Sequence, residues 1–93
     1  MWTVTIQRAD HRGMSSYEVA QKTLAGNIRT RRKAIGLSQE ALALEADVNR
    51  TFVSQIERAI GNPSLHTICR LADRLEVPCF ELLIKAESQP PQT

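Results

Sequence analysis

The sequence predicts an all-α domain, and three observations carry that prediction. Apolar residues recur at three- and four-residue spacing through most of the chain, and side chains that cap helices stand ahead of these runs. Between residues 39 and 58, two short amphipathic helices are parted by only Asp47, Val48 and Asn49, too tight a connection for anything but a helix-turn-helix. At 93 residues and 42% hydrophobic, the chain suits one small domain with a modest core, and such a domain gains from oligomerisation.

Residues 1–14 form an N-terminal arm. Trp2 to Gln7 alternates apolar and polar residues of high β propensity, so the arm is either flexible or a strand that pairs with a second subunit, because a lone strand has no partner in a helical chain. Arg8 and Arg12 make it basic, and it is also a place where a protein partner could bind. The domain proper spans residues 15–84. Ser15 and Glu18 read as a capping box opening a first helix near Ser16, with Val19, Leu24, Ile28 and Ile35 on its apolar side and Gly36 at its end; Gly26 weakens it without breaking it.

Ser38 caps a second helix that begins at Gln39, where Glu40 suits the helix dipole and Leu42, Ala43 and Ala46 face inward. Ala43 is small where two crossing helices must approach, and Val48 plugs the turn. Asn49 caps a third helix, whose inward residues are Val53, Ile56 and Ile60. Ser64 or Asn62 caps a fourth, with Leu65, Ile68, Leu71, Ala72 and Leu75 as its inward stripe. After Val77 and Pro78 come Phe80, Leu82, Leu83 and Ile84, more apolar residues than one short helix buries in its own domain; either they close the core or some of them meet a partner. Residues 85–93 read as a disordered tail.

Subtracting the inward positions of the third helix leaves Arg50, Thr51, Ser54, Gln55 and Arg58. Polar residues at such spacings usually mean only a solvated face. These types also suit a major groove: Arg pairs with guanine, Gln with adenine, Ser is permissive, and a Thr methyl meets a thymine methyl.

In the stretches G-L-S-Q-E-A-L-A from Gly36, N-R-T-F-V-S-Q-I-E-R from Asn49 and N-P-S-L from Asn62, the chain resembles the phage repressor and Cro family of helix-turn-helix DNA-binding proteins. The second stretch is also similar to the small controller proteins of restriction-modification operons. The resemblance runs from about Leu24 to Leu83 and implies a compact five-helix domain whose third helix enters the major groove, with a homodimer spanning half-sites roughly 34 Å apart. It implies that Arg50, Thr51, Ser54 and Gln55 read bases, while Gln39, Asn49 and Arg58 hold phosphates. It further implies a largely buried ion pair between Arg32 and Glu57 that sets the angle of the recognition helix. Family dimers often form through the C-terminal end, which points to Phe80, Leu83 and Ile84. Asp47, Ala59 and Glu76 stand where the family often has Gly, so the helix ends at Ala59 and Glu76 are expected to be drawn differently. Arg31 replaces a common Leu, which leaves the packing of the first helix open.

The formal charge is only +2, but its distribution is lopsided: residues 22–33 hold five basic side chains and no acidic one, and the balance past Pro63 turns slightly acidic. One end should therefore attract phosphates. Cys69 and Cys79 lack a C-x-x-C pairing and fall in apolar patterns, so they read as core packing in preference to metal binding or redox sensing, and His66 as a surface residue; no metal or other cofactor is expected. No paired carboxylates, nucleophile with a base, or phosphate-cradling loop suggests an enzyme, and no catalytic residue is assigned. No apolar run approaches a membrane span and no signal peptide is evident, so a cytoplasmic protein is expected. Two functions remain: a sequence-specific regulator acting as a homodimer on a near-palindromic operator in double-stranded DNA, or an interaction module such as an antitoxin that neutralises a partner protein and binds DNA secondarily.

Overall fold

The computed structural model describes residues 13–85, and the expectations for the rest of the N-terminal arm and of the tail fall outside them. Four α-helices are followed by one 3-10 helix: α1 (Ser16–Ala34), α2 (Gln39–Ala46), α3 (Arg50–Glu57), α4 (Leu65–Leu75) and the 3-10 helix (Cys79–Leu83). The all-α prediction holds, with the fifth helix reduced to a 3-10 turn. Pro78 supplies no N–H at its start, and its five residues suit the short length usual for this helix type.

Each α-helix starts on a side-chain cap. Ser15 Oγ accepts from Glu18 N at 3.1 Å while Glu18 Oε1 accepts from Ser15 N at 2.9 Å, completing the capping box. Ser38 caps α2, Asn49 caps α3 and, of the two residues considered for α4, Ser64 is the cap. The helix ends are equally uniform. Leu37, Val48, Ile60 and Val77 each donate a backbone N–H to the carbonyl five residues back, at 2.8 to 3.1 Å, and the residue before each is left-handed. Only at Gly36 is that residue a glycine; Asp47, Ala59 and Glu76 adopt φ of 59°, 59° and 63°. The expectation that the ends at Ala59 and Glu76 would be drawn differently is thus corrected. The closing hydrogen bonds outweigh a left-handed cost of about 1–2 kcal/mol per residue.

The core gathers Leu24 and Ile28 from α1, Leu42, Ala43 and Ala46 from α2, Val53 and Ile56 from α3, Ile68, Leu71, Ala72 and Leu75 from α4, and Leu82. Val48 packs against this cluster from the turn, as anticipated. Two inward assignments are corrected. Ile60 is exposed, because α3 ends at Glu57 and left-handed Ala59 turns the chain off the helical register. Leu65 is 68% exposed: it sits in the first turn of α4 at the margin of the stripe, which begins at Ile68.

Side-chain clamps hold the remaining segments. Asn27 Nδ2 donates to the carbonyls of Leu82 at 2.9 Å and Ile84 at 2.8 Å, fastening the 3-10 helix to α1. Tyr17 Oη and Gln21 Nε2 donate to Gly61 O at 2.9 and 2.6 Å, fixing the loop after α3. Arg31 Nε donates to Leu75 O at 2.8 Å and so satisfies the C-terminal end of α4. In place of a leucine's packing, Arg31 supplies a helix cap.

Candidate nucleic-acid interface

The helix-turn-helix is α2, the turn at residues 47–49, and α3. Val53, Ile56 and Glu57 are the buried residues of α3, and they fix which side of the helix faces away from the core. Arg50, Thr51 and Arg58 are exposed and Ser54 and Gln55 half-buried. The polar set that sequence subtraction isolates therefore occupies the accessible part of the helix. Asn49 Oδ1 accepts from Thr51 N at 2.8 Å, so the carbonyl side of its amide is committed to capping and its Nδ2 is the end suited to a phosphate.

The back of α3 is anchored by one carboxylate. Glu57, 2% exposed, accepts from Arg32 Nε at 2.6 Å, Arg32 Nη2 at 2.9 Å and Gln39 Nε2 at 3.0 Å. Arg29 Nε lies 4.0 Å from the same carboxylate, and its guanidinium also donates to the Glu57 main-chain carbonyl. Arg32 completes the arrangement by donating Nη1 to Leu37 O at 2.9 Å, in the link between α1 and α2. Burial alone would raise the Glu57 carboxyl; the hydrogen bonds from Arg32 and Gln39 and the charges of Arg32 and Arg29 outweigh it and hold the group below its ordinary value. The hydrogen bond to Glu57 raises Arg32 against the opposing effect of burial.

The predicted pair is thus formed, within a cluster that also takes in Gln39. Gln39, expected at a phosphate, gives one amide hydrogen to Glu57, which joins the first residue of α2 to the last residue of α3. The basic run of α1 is likewise largely structural: Arg29, Arg31 and Arg32 all donate to protein acceptors. Sequence reasoning missed Arg29, Asn27, Tyr17 and Gln21, since a clamp onto a main-chain carbonyl has no residue pattern of its own.

Cys69 and Cys79 are half-buried and His66 is exposed, and no group of three or more potential metal ligands occurs among the described residues. No described helix is long and apolar enough to cross a membrane. Leu82 closes the core, whereas Phe80 is 64% and Leu83 42% exposed and Ile84 half-buried.

A family model described as helix-turn-helix matches residues 28–82. A hypothetical transcription factor of Neisseria meningitidis is 41% identical over 69 residues, which make up 74% of this chain and 60% of that relative's length. The crystal structure of a hypothetical transcription factor from Neisseria matches with a TM-score of 0.73 at 34% identity, over 78% of this chain and 84% of that one. The restriction-modification controller protein C.AhdI from Aeromonas hydrophila matches with a TM-score of 0.65 at 37% identity, over 67% of this chain and 94% of that one.

Proposed function

The chain belongs to the helix-turn-helix family of phage repressor and Cro type, and from that premise we propose that it is a sequence-specific transcription regulator of double-stranded DNA. It acts as a homodimer that lays two copies of α3 in successive major grooves of a near-palindromic operator. The observation that carries this reading is the division of α3 itself: Val53, Ile56 and Glu57 are buried, whereas Arg50 and Thr51 are exposed and Ser54 and Gln55 half-buried. We assign the reading of base edges to these last four side chains. Asn49, Arg58 and Gln39 hold phosphates, with Gln39 exchanging its bond to Glu57 for one to DNA or sharing its second amide hydrogen.

Dimerisation is assigned to Phe80, Leu83 and Ile84, the apolar group around the 3-10 helix that Leu82 leaves outside the core. Similarity to a restriction-modification controller and to a hypothetical transcription factor supports regulation as the purpose of binding.

The test is selection from a random duplex library with the purified protein, followed by salt titration on the selected and on scrambled DNA. A palindromic motif with half-sites one helical turn apart is the expected result. Failure to enrich any sequence, with only weak salt-sensitive binding, overturns it in favour of the protein-neutralising module.

A further inference from the structure

The sulfur of Cys69, in the middle of α4, and that of Cys79, the first residue of the 3-10 helix, lie 3.1 Å apart, with the Cys69 thiol donating to Cys79. Both residues are half-buried free thiols. Isolated core cysteines act as small hydrophobes, but two sulfurs in contact across two different elements have a chemistry that hydrocarbon neighbours do not offer. We propose that Cys69 and Cys79 form a reversible intramolecular disulfide, a covalent modification site that ties α4 to the 3-10 helix.

The geometry asks for little movement. A disulfide is about 2.05 Å long, so the sulfurs must approach by about 1 Å, within reach of side-chain rotation and a small shift of a five-residue 3-10 helix. A metal site is a weaker use of the same pair, since no third ligand joins them among the described residues.

The oxidant is of the peroxide class. One thiol attacks hydrogen peroxide, the O–O bond breaks, the sulfur becomes a sulfenic acid and one water leaves. The second thiol then attacks that sulfur, the S–S bond forms and the S–O bond breaks, releasing a second water. Two thiols and one peroxide give one disulfide and two waters, with both electrons accepted by the peroxide. Burial, the adjoining Cys69 thiol and the charge of Asp73 push the Cys79 thiol up to about 11. Little of Cys79 is thiolate at neutral pH, which slows its own attack on peroxide.

The bond would act where the chain presents its apolar end. Phe80 and Leu83 follow Cys79 on the same short helix, and Asn27 already grips the far end of that segment through Leu82 and Ile84. Oxidation would fix the near end covalently.

The test uses the full chain, treated with stoichiometric hydrogen peroxide, quenched with a thiol-alkylating reagent and weighed intact. The expected result is loss of two hydrogen atoms, loss of both alkylation sites, recovery of a cross-linked peptide joining Cys69 to Cys79, and reversal by dithiothreitol. The yield should not change with protein concentration, and Cys69→Ser or Cys79→Ser should each abolish it. Two thiols that stay open to alkylation, addition of oxygen to single cysteines without a cross-link, or a disulfide between two chains would each overturn the proposal.

Discussion

Arg32 and Glu57 meet through two parallel hydrogen bonds, Nε to Oε2 at 2.6 Å and Nη2 to Oε1 at 2.9 Å, with both side chains nearly closed off from water. The pair spans 25 positions in sequence and joins the last turn of the longest helix to the last residue of α3. A buried ion pair contributes little net stability compared with a well-packed apolar pair, but removing one partner strands the other in the core. Arg32→Met should therefore cost about 3–5 kcal/mol in urea unfolding. The double variant Arg32→Met with Glu57→Met should lose less than the single one, and equal losses would mean that the pair is not what holds α3.

The same carboxylate sets a pH dependence. Glu57 is held below its unfolded value of about 4.3, so its contribution is complete above that value and is lost as pH falls through the folded one. Unfolding free energy should stay level from about pH 7 to pH 5 and then decline. Glu57→Gln should be less stable at pH 7 and show a shallower decline, its curve approaching that of the parent protein in acid. Parallel curves at all pH values would show that other carboxylates carry the acid transition.

Ala59 holds φ at 59° to let Ile60 N close on Gln55 O at 2.8 Å. Glycine takes this conformation without the Cβ clash, and its greater freedom in the unfolded chain offsets only part of the gain. Ala59→Gly should stabilise the domain by about 1 kcal/mol, seen as a rise of about 4–8 °C in Tm. A fall in Tm would show that unfolded-chain entropy dominates at this position.

Helix starts were the most legible part of the fold, because a Ser or Asn cap ahead of an apolar run is a local signal, and Ser15, Ser38 and Asn49 all serve as read. Helix ends were less so: Ala59 and Glu76 carry no mark of a left-handed turn, and the position is imposed by the hydrogen bonds that close there. Of the candidate site, the accessible set on α3 follows from periodicity once Val53 and Ile56 are placed inside. The Arg32 and Glu57 pair came from family resemblance, since nothing local links residues so far apart. Asn27 had no signature at all; it reads as an ordinary helix-surface residue until the chain returns beside it.

That return can be tested. Asn27 Nδ2 donates to the Leu82 and Ile84 carbonyls, and Asn27→Ala removes those two hydrogen bonds. The cost should be about 1–3 kcal/mol in urea unfolding. If Phe80 and Leu83 form the dimer contact, the same variant should dissociate at higher protein concentration in sedimentation equilibrium. An unchanged dissociation constant beside a real loss of stability would move the interface away from the 3-10 helix.

Base reading and backbone holding predict different losses on α3 and α2. Arg50→Ala or Gln55→Ala should weaken binding to the selected operator by about 1–3 kcal/mol, relax preference at one position, and barely alter binding to random duplex. Gln39→Ala should weaken both DNAs alike. It should also cost some stability, since Gln39 Nε2 donates to the Glu57 carboxylate at 3.0 Å, so unfolding must be measured beside binding to separate the two effects. Arg58→Ala should lower the slope of log affinity against log salt by about 0.9, one phosphate's share, whereas Gln55→Ala should leave it unchanged because an uncharged reader displaces no counterion. Equal losses for Arg50, Gln55 and Gln39 on selected and random DNA would strip α3 of its reading role and leave it as a positively charged face that holds DNA without regard to sequence.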